Sequence, residues 1–133
     1  MSKKRLSQTK KNIVFLGHMG SGKSTIGRGL SKKLGLDFYD TDKEIEKEMG
    51  QKIAKIFDES GESIFRNIER KITLKLLDKK NSIIALGGGG FEDLKIRKLI
   101  LNKCNSIWLK CDLNILEKRC RVSKKGPFYQ IKI

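Results

Sequence analysis

Short apolar runs along the chain alternate with longer stretches in which apolar positions recur every three or four residues, the pattern of strands separated by amphipathic helices. Residues 12–16 (NIVFL) are β-branched and apolar and run straight into glycine, which predicts a buried strand. Residues 23–34 keep a helical period until Gly35 stops it, and residues 36–39 have the length and composition of a second strand, ending in Asp40-Thr41-Asp42. A helix is expected over 42–49 with Asp42 placed to cap it, and Gly50 breaks it. Ile53, Ile56 and Phe57 then predict a short helix ending near Gly61. A longer helix over 62–80 is read from Ile64, Phe65, Ile68, Ile72, Leu74, Leu76 and Leu77. Residues 82–86 form a wholly apolar strand that enters four consecutive glycines. A helix over 92–101, a strand over 106–111 and a helix over 112–121 capped by Asp112 complete the series.

This order, βαβαβαβα, predicts an α/β fold with a parallel sheet, right-handed crossovers and helices on both faces. Ligands of such sheets bind beyond the carboxyl ends of the strands, which is where Gly17, Asp40 to Asp42 and the glycine run fall. With 133 residues, 38% of them hydrophobic, there is material for one core. The expected division is a basic tail over 1–11, the domain over 12–121 and a closing segment over 122–133. No apolar run approaches the ~20 residues that span a bilayer, and no secretory pattern opens the chain, so a cytoplasmic protein without a membrane partner is expected. Cys104, Cys111 and Cys120 have no metal-site spacing, and His18 is the only histidine, so neither a disulfide framework nor a zinc site is indicated. Thirty Lys+Arg against 15 Asp+Glu give a net charge of +15, which attracts polyanions. The lysines are dispersed, however, with no arginine block or aromatic ladder, so no specific nucleic-acid partner is expected.

Chemistry enters with Gly17-His18-Met19-Gly20-Ser21-Gly22-Lys23-Ser24, which satisfies GxxxxGK[ST] between a predicted strand and a predicted helix. Chance supplies such a match in roughly 2% of chains of this composition. The glycines let backbone N–H groups turn inward around phosphate oxygens at a positively polarised helix end. Gly17, Gly20, Ser21, Gly22, Lys23, Ser24 and Thr25 are therefore assigned to a nucleoside triphosphate, with ATP the expected ligand. Lys23 meets the outer phosphates, and the Ser24 hydroxyl is assigned to Mg²⁺. His18 is read as a loop filler. The chain carries no NKxD guanine motif and no apolar strand ending in aspartate before a catalytic glutamate, which leaves a compact kinase.

Four blocks occur in fixed order: residues 17–25 with Ile26-Gly27-Arg28, then Phe38-Tyr39-Asp40-Thr41-Asp42, then Phe65-Arg66-Asn67-Ile68-Glu69, then Gly87-Gly88-Gly89. In order and spacing they resemble shikimate kinase, over about residues 12–127. The resemblance implies the P-loop NTPase architecture, a three-layer α/β/α fold with strand order 2-3-1-4. It also implies transfer of the ATP γ-phosphoryl group to the 3-hydroxyl of shikimate, on the route to chorismate and the aromatic amino acids. By the same resemblance Asp42 binds the acceptor and acts as base, Arg66 forks onto its carboxylate, and Gly87, Gly88 and Gly89 admit the ring. Asp40 joins Ser24 in holding Mg²⁺, and Glu69 orients Arg66.

The resemblance also implies departures. At the lid the chain reads Lys124-Lys125-Gly126-Pro127, with glycine where the family carries arginine. Arg119 is then the lid-side arginine expected near ATP, and Arg97 is given a structural or surface role. Loss of such an arginine implies slower transfer, by roughly 10³ in related chemistry. The fifth strand is expected to be missing, leaving an edge beside residues 106–111 open to self-association in an otherwise monomeric protein. Two other readings stand beside this one: an inactive remnant that binds nucleotide or nucleic acid through its cationic surface, and another P-loop kinase acting on nucleotides or gluconate. Arg66 and the glycine run argue against the second.

Overall fold

The computed structural model describes residues 11–17, 22–110 and 130–132. Among the predicted features, the basic tail over 1–10, the helix over 112–121 and the lid segment lie outside the described residues.

Four strands run parallel: β1 (Ile13–Leu16), β2 (Asp37–Asp40), β3 (Ser82–Ala85) and β4 (Asn105–Lys110). Their order across the sheet is 2-3-1-4, as the resemblance implied. The expectation of an unpaired edge at β4 is corrected. A short strand, β5 (Gln130–Lys132), pairs antiparallel with it, setting Leu109 opposite Ile131.

Side chains alternate between the sheet's two faces with the period of two that strands impose. Phe15, Ile83, Phe38, Ile107 and Leu109 face one way and meet Ile26 and Leu30 of α1 (Lys23–Leu34). Val14, Leu16, Ile84, Leu86 and Tyr39 face the other way. There they meet α2 (Thr41–Met49), α3 (Ile53–Leu77) and α4 (Leu94–Lys103) through Ile45, Ile56, Phe65, Ile72, Leu76, Ile96 and Ile100. Helix α1 comes close because Gly27 has no side chain: a Cβ there would stand 2.6 Å from Phe38 Cε1.

Several boundaries differ from the sequence expectation for identifiable reasons. Asp40, not Asp42, caps α2: its carboxylate accepts from the Lys43 amide at 3.2 Å, which starts the helix one residue earlier than predicted. The two helices predicted around Gly61 are both present and meet there, Gly61 being non-helical with φ of 86° and ψ of 168°; they are numbered together as α3. Beyond the kink, the buried face of α3 runs through Phe65, Glu69, Ile72, Thr73, Leu76 and Leu77. Ile64, read as core, is 49% exposed, because Glu69 and Thr73 occupy inward positions that binary patterning assigns to apolar residues. Residues 90–92 form a 3₁₀ turn, and α4 starts after Asp93, which caps it by accepting from the Lys95 and Ile96 amides and is held by Arg70 at 2.6 Å.

Buried Asn12 ties the sheet to the end of α3. Its side-chain amide donates to the carbonyls of Leu77 and Lys79, and its oxygen accepts from the Ser82 amide at 3.0 Å. On the other flank, Phe91 meets Trp108 edge-on with ring centroids 5.5 Å apart. The structural role expected for Arg97 is local: it donates to the Phe91 carbonyl at 3.0 Å and stacks over that ring.

The Thr73 hydroxyl is fully buried and has no hydrogen-bond partner among the described residues. A buried polar group in that condition costs about 1–3 kcal/mol, so Thr73→Val is expected to stabilise the protein by about 1 kcal/mol. The measurement is a urea unfolding curve, with a higher midpoint at unchanged slope.

Candidate active site

The site begins where β1 ends. Gly17 and Gly22, at the two sides of the phosphate-loop motif, have φ of 149° and 95°, values that residues with a Cβ rarely adopt. Gly22 turns the chain into α1, so the first amides of that helix point past the end of the sheet. Lys23 lies on the first turn, and its Nζ donates to the Gly17 carbonyl at 2.6 Å, spanning the loop. Gly20 and Ser21, assigned to nucleotide from the motif, lie outside the described residues with His18 and Arg119.

Parallel pairing sets Asp40 of β2 beside Ala85 of β3 and brings both level with the loop. The Ser24 hydroxyl donates to Asp40 Oδ2 while Asp40 Oδ1 caps α2. One carboxylate therefore joins the first turn of α1 to the first turn of α2. A hydroxyl and a carboxylate converging in this way make an all-oxygen set that suits a hard divalent cation. The described residues contain no group of three or more His, Cys, Asp or Glu that could hold a metal ion.

Gly22, Lys23, Ser24, Thr25, Asp40, Asp42, Ala85, Leu86, Gly87 and Gly88 line one cavity of about 340 Å³. Lys23, Ser24 and Thr25 from the nucleotide set thus share one space with Asp42, Gly87 and Gly88 from the acceptor set, whereas Gly17, Arg66 and Gly89 are not part of its lining. Asp42 projects from α2 against the glycine turn so closely that a Cβ on Gly87 would collide with its Oδ1. Gly89 has the same relation to Arg66, whose Nη1 would lie 2.5 Å from a Cβ there. Arg66, on α3, is bonded to buried Glu69 at 2.8 Å and stacked over Phe65 and Phe57. A side chain at 87 or 89 would therefore require the Asp42 carboxylate or the Arg66 guanidinium to move. Gly88 differs, because a Cβ on it would meet nothing within 4 Å, and its bare backbone faces the cavity.

Thr41 was not singled out from the sequence for a role. It is fully buried, and its Oγ1 accepts from the Gly87 amide at 2.8 Å. Its place between the two aspartates of a DxD was the available signal.

Electrostatics follow from burial. Desolvation pushes the Asp42 carboxyl above its ordinary range, nearby Asp40 and Glu69 push it further, and Lys23 opposes them. Desolvation pushes the Lys23 ammonium below its ordinary value, while Asp42 and Asp40 pull it back. The hydrogen bond from Arg66 to Glu69 holds its guanidinium more firmly charged. The cavity therefore contains a half-buried base with raised proton affinity and a cation that gains from an anionic ligand.

The shikimate kinase family model matches residues 19–133 of this chain. The chain belongs to the shikimate kinase family. The shikimate kinase of Caulobacter vibrioides (strain NA1000 / CB15N) is 46% identical over 115 residues, covering 86% of this chain and 56% of that protein. This family member thus spans little more than half the length of that relative. A solved shikimate kinase from Acinetobacter baumannii in complex with shikimate aligns with a TM-score of 0.84 and 33% identity, covering 92% of this chain and 68% of that one. A gluconokinase from Sinorhizobium meliloti 1021 aligns with a TM-score of 0.54 and 16% identity, over 90% of this chain and 69% of its own, a likeness of fold alone.

The raised Asp42 pKa carries a sign. A carboxylate whose folded pKa exceeds its unfolded value adds stability below the unfolded pKa and loses that contribution as pH rises through the folded pKa. At pH 7 the ionised Asp42 therefore opposes folding. Asp42→Asn is expected to raise the melting temperature of the ligand-free protein by a few degrees at pH 7 and to change it little near pH 3. Thermal denaturation followed by circular dichroism at both pH values checks this.

Proposed function

We propose that this protein phosphorylates shikimate at its 3-hydroxyl with ATP, in the cytoplasm. The observation that carries the reading is the shared cavity: Lys23 and Ser24 line it with Asp42 and Gly88, so a triphosphate tail and an acceptor hydroxyl can meet there.

The chain's own groups divide the work. Amides at the start of α1 and the Lys23 ammonium hold the phosphates and stabilise charge on the transferred group. Asp42 accepts the proton of the attacking hydroxyl, a task suited to a carboxylate whose proton affinity is raised by burial. Arg66, fixed by Glu69, presents its fork to the acceptor carboxylate. Mg²⁺ would be held by Ser24 and Asp40, directly or through water, and when bound would screen the phosphate charge.

Arg66 beside Gly89 favours an acceptor that carries a carboxylate. Lys124-Lys125-Gly126-Pro127 holds no arginine, so turnover is expected to be slow relative to binding.

The test is calorimetric titration with ADP–Mg²⁺ and then with shikimate, beside a coupled assay of ATP consumption. Shikimate-dependent heat with ATP turnover supports the reading; equal turnover without acceptor, or no shikimate heat, rejects it. Gly88→Ala supplies a sharper check, because the added methyl group enters open space in the ligand-free protein. It is expected to leave the melting temperature and ADP affinity unchanged and to weaken shikimate binding about tenfold or more.

A further inference from the structure

We infer that Thr41 is a positioning residue for the acceptor site, acting through the main chain of the glycine turn; the inference rests on the acceptor reading above. Thr41 is the first residue of α2, between the aspartate that caps this helix and the aspartate that touches the turn. It is fully buried, and its hydroxyl accepts the Gly87 amide at 2.8 Å across 46 residues of sequence. Beyond this bond, the turn closes on itself through the Gly90 amide to the Gly87 carbonyl at 3.0 Å and the Glu92 amide to the Gly89 carbonyl at 3.2 Å. Gly87 is therefore the point at which the turn is anchored to α2, the helix that carries Asp42.

The consequence is geometric. Asp42 and Arg66 each lie against a glycine of this turn, at Gly87 and Gly89 respectively. A small shift of Gly87 toward α2 is blocked by the Asp42 carboxylate, and a shift away breaks the Thr41 bond. The hydroxyl thus sets the spacing between the carboxylate that faces the attacking group and the backbone that faces the ring. Replacing it with a methyl group leaves a buried N–H without an acceptor, and that loss falls on the acceptor side, because the orphaned amide is that of Gly87 in the glycine turn, while Ser24 is tied to Asp40 and not to Thr41.

Two variants separate this from a general packing role. Thr41→Val keeps the shape and removes the acceptor oxygen, whereas Thr41→Ser keeps the oxygen and removes a methyl group. With the full chain, Thr41→Val is expected to weaken shikimate affinity, or raise its KM, roughly tenfold with ADP–Mg²⁺ affinity unchanged, and Thr41→Ser to restore the parent value. Equal losses for both ligands in Thr41→Val, or no rescue by serine, would overturn the inference. Amide hydrogen exchange of Gly87, followed by NMR in the ligand-free protein, reads the anchor independently of any substrate. Exchange should accelerate at least tenfold in Thr41→Val and stay slow in Thr41→Ser, and unchanged exchange in Thr41→Val would also overturn it. Failure of the parent to bind shikimate would instead reject the acceptor reading, and with it an acceptor-positioning role, even with Gly87 protected.

Discussion

Parallel strands in register deliver their following residues to the same edge of a sheet, and nearly everything chemical in this molecule follows from that constraint. Pairing of Asp40 with Ala85 and of Phe15 with Ala85 brings the ends of β2, β3 and β1 level. The chain then uses three different exits: a glycine-flanked loop into α1, a capped turn into α2 and a run of glycines. Each exit supplies what the others lack. The first contributes amides and an ammonium group, the second two carboxylates, and the third a backbone bare enough for Asp42 and Arg66 to lie against it. A one-residue slip of β2 against β3 would turn Asp40 to the opposite face and dismantle the arrangement without changing any residue.

The charges gathered there are held by partners on their own and on neighbouring elements. Asp40 divides its oxygens between Ser24 and the amide that starts α2, so α1 and α2 share one carboxylate. Arg66 is steadied by Glu69 and by two aromatic rings. Asp42 is opposed by Lys23, yet burial together with Asp40 and Glu69 raises its proton affinity. Perturbed carboxylates of this kind concentrate at functional sites, although ion-pair networks also produce them.

Much of this was legible in the residues. The positions of β1 and β3 follow from apolar runs meeting glycine, the DxD and the glycine run come together as their positions after strands implied, and Arg66 of the FRxxE block reaches Gly89 from a helix. What the residues did not disclose has physical causes. Whether Asp40 or Asp42 caps α2 depends on one residue's backbone angles, which composition does not encode. Glu69 and Thr73 take buried positions on α3 that a polar–apolar pattern assigns to the surface, and Ile64 is turned outward in consequence. The pairing of β5 with β4 joins segments separated by a long stretch of chain, and three residues carry no period strong enough to announce it.

The seam between the glycine turn and β4 has an optical consequence. Trp108, the chain's single tryptophan, is 41% exposed and meets Phe91, which follows the turn directly, edge to face. An indole in that position emits from beside the glycine turn, with one side against an aromatic ring and the other toward solvent. Its emission wavelength registers the polarity around that ring, so the molecule carries a native fluorophore whose colour is tied to how the turn is seated.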